Sequence, residues 1–199
     1  MENLTGKIVL VTGAGKGAGR KIAQAFAMRG AFVAANDISP INLEPVVDGI
    51  TATGGLARAY VHDIAKKVDV QAMANDLIDE FARIDILVNC AHVEPHTPLL
   101  DLDEWDLHRV FEVNAIGTFL MMQSVGRVMR AQSAGIMINV VKTSPASPAS
   151  FIASRAGIAT MSQSADAELR QYGIRVFAVT AENPVAEVLA LCLDEKSPR

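Results

Sequence analysis

A glycine-rich run at Thr12–Gly19 constrains the fold of this chain more than any other stretch. An apolar segment, Ile8–Val11, precedes the run and a helical pattern beginning near Ile22 follows it, so the glycines fall between a strand and a helix. Glycine lets the backbone adopt positive φ and approach a phosphate closely, while the free N–H groups of a helix N-terminus favour negative charge. This context predicts a pyrophosphate-binding turn, and an acidic residue at the tip of the next strand, Asp37, agrees with it.

Short apolar runs alternate with longer helical patterns along the rest of the chain. The alternation predicts an α/β fold, namely a doubly wound, parallel, Rossmann-type sheet of about six strands with helices on both faces. Strands are predicted at Lys7–Thr12, Phe32–Asn36, Ala57–His62, Ile84–Asn89, Ile136–Val141 and Ile174–Thr180. Helices are predicted at Gly17–Arg29, Leu43–Thr53, Val68–Phe81, Asp103–Gln132, Ile152–Tyr172 and Val185–Leu193. With 199 residues, one domain over residues 1–199 is expected.

Two local features bear on these boundaries. Pro45 conflicts with the second helix, unless Asn42 caps that helix and the proline lies in its first turn. The Ser- and Pro-rich stretch Thr143–Ser150 is predicted as the loop between the fifth strand and the fifth helix.

Composition narrows the choice of partner. The net charge is −4 without a basic stripe, which predicts a small ligand and neither nucleic acid nor a membrane as partner. The two cysteines, Cys90 and Cys192, form no disulfide framework and no metal cluster, so both are predicted to be reduced core thiols. The N-terminus has no secretory signal pattern and no run is long enough to span a membrane, which predicts a cytoplasmic protein.

With these motifs the chain resembles the short-chain dehydrogenases/reductases over almost its whole length, and especially the members that are similar to 3-oxoacyl-carrier-protein reductase. The resemblance rests on TGAGKGAG at 12–19, Asp37, Asp63, Asn89-Cys90-Ala91, Val113-Asn114-Ala115 and Gly173-Ile174-Arg175-Val176. It implies that the glycine loop holds the cofactor diphosphate, that Asp63 contacts the adenine and that the Asn89 turn lines the nicotinamide side. The implied cofactor-binding residues are Gly13, Lys16, Gly17, Ala18, Gly19, Asp37, Asp63, Ile64, Asn89, Ala91, Arg155 and Val185.

The choice between the two nicotinamide cofactors depends on Asp37. A carboxylate at a strand tip accepts hydrogen bonds from both adenosine ribose hydroxyls, and its charge repels the 2′-phosphate of NADP. Lys16 argues mildly for NADP, because a cation beside that ribose could pair with the phosphate, but a solvated lysine in a surface loop is the favoured interpretation. NAD is therefore the predicted cofactor, with NADP less favoured.

The catalytic half of the resemblance is incomplete. The family frame Y-x-x-x-K here has Phe151 in place of the tyrosine and Arg155 in place of the lysine. Phenylalanine has no hydroxyl, so it can neither give nor take the proton that accompanies hydride transfer. Lys142 or Thr143 occupies the place of the family's serine, and of the usual four catalytic residues only Asn114 remains.

Further departures concern the loops around this frame. The loop before Phe151 is shorter than the family's, so Lys142 or Thr143 is not expected to face position 151. The family's Pro-Gly after the sixth strand is replaced by Ala181–Val185 with its carboxylate at Glu182. Because 186–195 resembles the family's late helix, the substrate-covering segment before it and the seventh strand are expected to be missing.

Two hypotheses remain. The favoured one is a catalytically degenerate protein that keeps NAD binding for a binding, regulatory or assembly role. The alternative is an active NAD(P)-dependent oxidoreductase of a carbonyl/alcohol pair with an atypical acid, His92 or Lys142. The resemblance also implies a homodimer through helices Asp103–Gln132 and Ile152–Tyr172, or a heteromer with an intact relative.

Overall fold

The computed structural model describes residues 3–193. Its strands form one parallel sheet in the order β3-β2-β1-β4-β5-β6, which confirms the predicted doubly wound, Rossmann-type fold. The strands are β1 (Ile8–Thr12), β2 (Phe32–Asp37), β3 (Leu56–Val61), β4 (Ile86–Asn89), β5 (Gly135–Val140) and β6 (Ile174–Val179). The helices are α1 (Gly17–Ala27), α2 (Pro40–Ala52), α3 (Lys67–Phe81), α4 (Glu104–Phe111), α5 (Thr118–Gln132), α6 (Ala149–Leu169) and α7 (Pro184–Leu193).

The central strand β1 shows why the apolar runs are continuous. Val9 and Val11 join the core on one face of the sheet, together with side chains of α1 and α7. Ile8 and Leu10 join the core on the other face, together with side chains of α3 and α5. Successive side chains of a strand point to opposite faces, so a strand covered by helices on both sides needs apolar residues at every position.

The predicted single helix Asp103–Gln132 is wrong in its middle. Between α4 and α5 the chain forms a wider, π-helical segment at Glu112–Gly117. Asn114 lies in this segment, where its side chain accepts a hydrogen bond from the N–H of Val93 at 2.8 Å and donates one to the carbonyl of Val93 at 3.0 Å. A single π-helical turn inside a long α-helical pattern is too short to leave a recognisable period of its own in the sequence.

The second helix also begins earlier than predicted. Pro40 occupies its first turn, where proline is preferred, and Ser39 takes the capping position that was predicted for Asn42. Pro45 therefore lies inside α2 rather than in its first turn. The carbonyl of Ile41, which Pro45 cannot bond, belongs to an exposed residue, so water can satisfy it.

The fifth predicted helix, α6, starts at Ala149 instead of Ile152 and ends in a 3₁₀ turn at Arg170–Tyr172. Asp166 ties it to the sheet by accepting a hydrogen bond from the N–H of Val176 in β6 at 2.9 Å. The predicted extension of the last helix pattern to residue 195 lies outside the described residues. None of the helices in residues 3–193 combines the length and apolar character that a membrane crossing needs.

Candidate functional site

The glycine loop after β1 stands at the point where the strand order reverses between β1 and β4. Gly13 and Gly17 adopt φ values of 64° and 57°, in the left-handed region that favours glycine. A Cβ on Gly13 would lie 2.7 Å from the backbone of Ala91, and one on Gly19 would lie 2.2 Å from the carbonyl oxygen of Gly13. Apart from the neighbouring backbone, no heavy atom of residues 3–193 lies within 4 Å of the corresponding position at Gly17. The loop is thus packed tightly against β4 and is open at Gly17.

The N-terminus of α1 begins in this loop. Lys16 occupies the capping position with an extended backbone, and no side chain caps the helix. The guanidinium of Arg20 stabilises the loop, because its Nε donates a hydrogen bond to the carbonyl of Gly15 at 3.1 Å. Uncapped N–H groups and the positive end of the helix dipole suit a phosphate group. The residues present therefore fit the diphosphate of a nucleotide cofactor.

Asp37 stands at the tip of β2, as predicted. Its Oδ2 accepts a hydrogen bond from the N–H of Gly15 and its Oδ1 one from the N–H of Ser39, both at 3.0 Å. A Cβ on Gly15 would lie 2.7 Å from Oδ2, so the close approach of the carboxylate requires a glycine there. Each carboxylate oxygen keeps a free lone pair, and these can accept hydrogen bonds from a ligand hydroxyl.

Asp63 follows β3 and is joined by a residue that the sequence analysis missed. The Nη2 of Arg109, on α4, lies 3.6 Å from the Oδ2 of Asp63, and both residues line the same cleft as Asp37. The Oδ1 of Asp63 accepts a hydrogen bond from the N–H of Ala65 at 3.0 Å. Arg109 belongs to no recognisable motif, so only the packing of α4 beside the β3 loop could identify it.

A hydroxyl on β1 anchors the turn after β4. The Oγ1 of Thr12 accepts hydrogen bonds from the N–H groups of Cys90 at 3.1 Å and Ala91 at 3.2 Å. Ala91 lines the cleft, whereas the side chain of Asn89 is buried behind it and donates to the Oδ1 of Asn139 at 2.8 Å. Burial raises the pKa of the Cys90 thiol to about 12, so this thiol is neutral and unreactive at physiological pH.

Asn114 is fully buried and does not line the cleft. Besides its two bonds to Val93, its Nδ2 donates to the Oγ of Ser154 at 3.0 Å. The amide thus joins the loop after β4 to α6. Its side chain has one acceptor and two donors in use, which leaves little capacity for a direct bond to a ligand.

Phe151 and Arg155 lie together on the inner wall of the cleft, where they are 2% and 3% exposed. The guanidinium carbon of Arg155 is 5.1 Å from the centroid of the Phe151 ring. Burial lowers the pKa of Arg155 to about 10, so the guanidinium remains charged at neutral pH. The Nε of Arg155 is buried without a hydrogen-bond partner.

His92 faces Phe151 across the cleft, with the two ring centroids 5.6 Å apart. Solvent reaches His92 through the cleft, but the surrounding protein lowers the pKa of the imidazole by burial, and the cations Arg155 and Lys16 lower it further. The ring is therefore neutral at pH 7. Its Nδ1 lies 2.8 Å from the carbonyl oxygen of Cys90, which can only accept, so Nδ1 carries the proton and Nε2 is a free acceptor.

Lys142 and Thr143 line the same cleft as Phe151. The Nζ of Lys142 donates to the carbonyl of Glu182 at 3.3 Å and so connects the loops that follow β5 and β6. Both groups are exposed, and neither replaces the geometry of a serine hydroxyl that is fixed beside a tyrosine.

The cleft has a volume of about 590 Å³ and runs from the glycine loop to Phe151. The sequence-predicted residues on its wall are Gly13, Lys16, Gly17, Ala18, Gly19, Asp37, Asp63, Ile64, Ala91, His92, Lys142, Thr143, Phe151 and Arg155. The predicted residues Asn89, Asn114 and Val185 are not on the wall. Among residues 3–193, no group of three or more His, Cys, Asp or Glu side chains is arranged to hold a metal ion.

The chain is similar in sequence to known dehydrogenases and reductases. Residues 7–185 match the family model of short chain dehydrogenases. An uncharacterized oxidoreductase of Thermotoga maritima is 36% identical over 186 residues, or 89% of this chain and 71% of that protein. D-threitol dehydrogenase of Mycolicibacterium smegmatis is 36% identical over 183 residues, or 89% and 70% of the two chains. A 3-oxoacyl-[acyl-carrier-protein] reductase of Synechocystis is 33% identical over 184 residues, or 90% and 74%.

Two similar crystal structures contain a nicotinamide cofactor. A metagenomic short-chain oxidoreductase in complex with NADP superposes with a TM-score of 0.90 at 28% identity, over 98% of this chain and 94% of that one. NAD⁺-bound xylitol dehydrogenase superposes with a TM-score of 0.84 at 30% identity, over 88% and 70% of the two chains. The chain therefore belongs to the short-chain dehydrogenase/reductase family.

Proposed function

We propose that this protein binds NAD(H) and has lost the standard hydride-transfer chemistry of its family. The observation that carries the proposal is Phe151 at the position of the family tyrosine. A phenyl ring has no proton to exchange, and no other hydroxyl side chain is buried beside it on the cleft wall in residues 3–193. Loss of a general acid or base costs roughly 10² to 10⁴ in rate.

Binding of a dinucleotide is supported by the open Gly17 position, the uncapped N-terminus of α1 and the fit of the fold to relatives that hold NADP or NAD⁺. Asp37 favours NAD over NADP. Its two backbone hydrogen bonds keep the carboxylate at the strand tip, where its negative charge opposes a 2′-phosphate. Asn89 and Asn114 contribute by holding the segments behind the cleft rather than by touching the ligand, and Val185 by packing α7 against the core.

The decisive experiment combines a calorimetric titration with a turnover assay. NAD(H) and NADP(H) are titrated into the protein, and the same preparation is assayed on a panel of ketones and alcohols. NAD(H) binding without turnover is the expected result. Robust turnover of a simple ketone contradicts the loss of chemistry, and absence of binding to either cofactor contradicts the nucleotide-binding role.

An assembly role fits the exposed apolar side chains of α4, the π-helical segment and α5. Trp105, Ile116 and Phe119 are 72%, 50% and 47% exposed, an unusual concentration of apolar surface on one helical stretch. We infer a homodimer through this stretch and α6, or a heteromer with an intact relative, in the cytoplasm. Light scattering of the protein and of Phe119→Asp tests it: the variant should be monomeric, whereas Met28→Asp, at an exposed residue just after α1, should keep the assembly of the unmodified protein. A monomeric unmodified protein contradicts the pairing.

One observation favours a second candidate, an NAD-dependent alcohol dehydrogenase that uses His92. With Nδ1–H bonded to Cys90, the free Nε2 of the neutral imidazole is a base and not an acid, so it suits alcohol oxidation. Because the pKa of His92 is lowered, oxidation that depends on it should persist above pH 6.5 and fall only as the pH drops through the lowered pKa. Turnover that survives in His92→Ala contradicts this candidate.

A further inference from the structure

Arg155 is a buried cation that has no hydrogen-bond or ion-pair partner in the described part of the chain. Its residue is 3% exposed, its Nε is buried and unbonded, and within residues 3–193 its guanidinium makes neither a hydrogen bond nor an ion pair. The other buried side-chain atoms without partners in this part of the chain belong to Asn89 and Ser150, which are not on the cleft wall. Of these three residues, only Arg155 lines the cleft.

The groups around Arg155 do not neutralise it. The thiol of Cys90 and the imidazole of His92 are both uncharged at neutral pH. Glu94, in the loop after β4, is close enough to influence the guanidinium but forms no ion pair with it. Lys16 and Lys142, on the same wall, add positive charge. Glu94 also lines this wall, but no carboxylate pairs directly with Arg155 among residues 3–193, so the guanidinium is left without an ion-pair partner at the inner end of the cleft.

Burial of an uncompensated charge is costly; the ribose hydroxyls of a cofactor can accept hydrogen bonds from the guanidinium, but they carry no negative charge. A planar guanidinium matches a carboxylate with two parallel hydrogen bonds, and the apolar face of Phe151 lies directly beside it. We propose that Arg155 binds the carboxylate of a small organic acid, whose apolar body packs toward Phe151 and His92. This inference rests on the proposed function, because it assumes that Phe151 and Arg155, at the positions of the family's tyrosine and lysine, serve binding instead of proton transfer.

Benzoate and its neutral isostere benzamide test the charge requirement. Both are titrated by calorimetry into the full chain, without and with NAD⁺, and inorganic phosphate is titrated in parallel. Benzoate should bind at least about tenfold more tightly than benzamide, as expected when a charged hydrogen-bonding partner is lost. Equal affinities overturn the proposal. Binding of phosphate in place of benzoate also overturns it, since the site then serves a phosphate group.

Arg155→Met separates this role from a structural one. The variant should lose benzoate affinity by about tenfold or more and unfold at a higher temperature than the unmodified protein, because a buried unpaired charge is removed. The matched variant Arg130→Met, on the exposed face of α5, should leave benzoate binding unchanged. A destabilised or unfolded Arg155→Met protein contradicts the unpaired-charge argument. Arg155→Lys, which retains the charge, must then still bind benzoate if the proposal is to stand.

The cofactor titrations keep the two proposals separate. If Arg155 serves only the ribose of the cofactor, Arg155→Met weakens NAD(H) binding and leaves benzoate binding unchanged, which overturns the carboxylate site alone. If NAD(H) does not bind at all while benzoate binding depends on Arg155, the proposed nucleotide function fails and the carboxylate site stands.

Discussion

The two halves of the cleft differ in how their charged groups are paired. At the nucleotide end, Asp37 accepts two backbone hydrogen bonds, and Asp63 accepts one and pairs with Arg109. At the inner end, Arg155 has no hydrogen-bond or ion-pair partner among residues 3–193, and the ring of Phe151 offers no hydrogen-bonding group. Cofactor binding depends mainly on backbone geometry, whereas proton transfer depends on a few side chains. The difference teaches that the second function can be removed while the first is kept.

The largest expected effect is on the glycine loop. In Gly19→Ala the new Cβ would lie 2.2 Å from the carbonyl oxygen of Gly13, and the tight packing of α1 on the loop leaves no room for a shift. We expect a loss of about 2 kcal/mol or more in the free energy of unfolding, with loss of NAD(H) binding, measured by urea denaturation and calorimetry. Gly49→Ala, where the Cβ meets nothing within 4 Å, should stabilise α2 by about 0.5 kcal/mol. Similar effects of both substitutions would contradict the close-packing argument.

Restoring the family residues tests the inner half. Phe151→Tyr combined with Arg155→Lys should raise ketone reduction by less than about tenfold, because the serine position remains occupied by Lys142 or Thr143 and the reacting groups stay misplaced. Oxidation of the reduced cofactor, followed by absorbance, provides the measurement. Phe177→Tyr adds a hydroxyl away from the cleft wall and should have no effect on it. An increase of about 100-fold or more in the rate of ketone reduction would mean that the inner half still places the reacting groups correctly.

A smaller effect is expected at Asp37. The unmodified protein should bind NAD(H) more tightly than NADP(H). Asp37→Ala should reduce the ratio of the two affinities by about tenfold, because the carboxylate that repels the 2′-phosphate is gone. Calorimetric titration of both cofactors gives the ratio. Asp48→Ala removes an exposed carboxylate from α2 and should leave the ratio unchanged. Equal affinities for the two cofactors in the unmodified protein would show that Asp37 does not select between them.

The smallest effect concerns the support of the inner half. Burial opposes the charge of Asp166, but hydrogen bonds from the N–H of Val176 and from Arg170 and Arg175 outweigh it and lower the pKa of this carboxyl. A lowered pKa in the folded state stabilises the protein above the ordinary Asp pKa, and this contribution is lost as the pH falls through the lowered value. Asp166→Asn should therefore cost about 1 kcal/mol near pH 7 and less near pH 3, measured by urea denaturation at both pH values. A cost that grows toward low pH would contradict this sign.

Local patterns predicted most of the fold and much of the cleft. The apolar run of β1 and the glycines after it required no knowledge of distant residues, because their conformations follow from side-chain size and backbone freedom. The two errors have different origins. The π-helical segment at Asn114 accompanies hydrogen bonds to Val93, 21 residues away in the chain. The early start of α2 is local, because Pro40 occupies the first turn of the helix, and the apolar pattern that begins at Leu43 does not register it.

The sequence by itself determined that a strand, a glycine turn and a helix follow one another, and that position 151 carries no hydroxyl. Only the tertiary structure decided that Thr12 holds the turn after β4, that Arg109 meets Asp63, and that the Nε of Arg155 is buried without a hydrogen-bond partner among residues 3–193. The physical reason is the distance along the chain over which each kind of interaction acts. Backbone propensity and side-chain chemistry act within a few residues, whereas the pairing and burial of a charge depend on segments that the fold brings together from far apart in the chain.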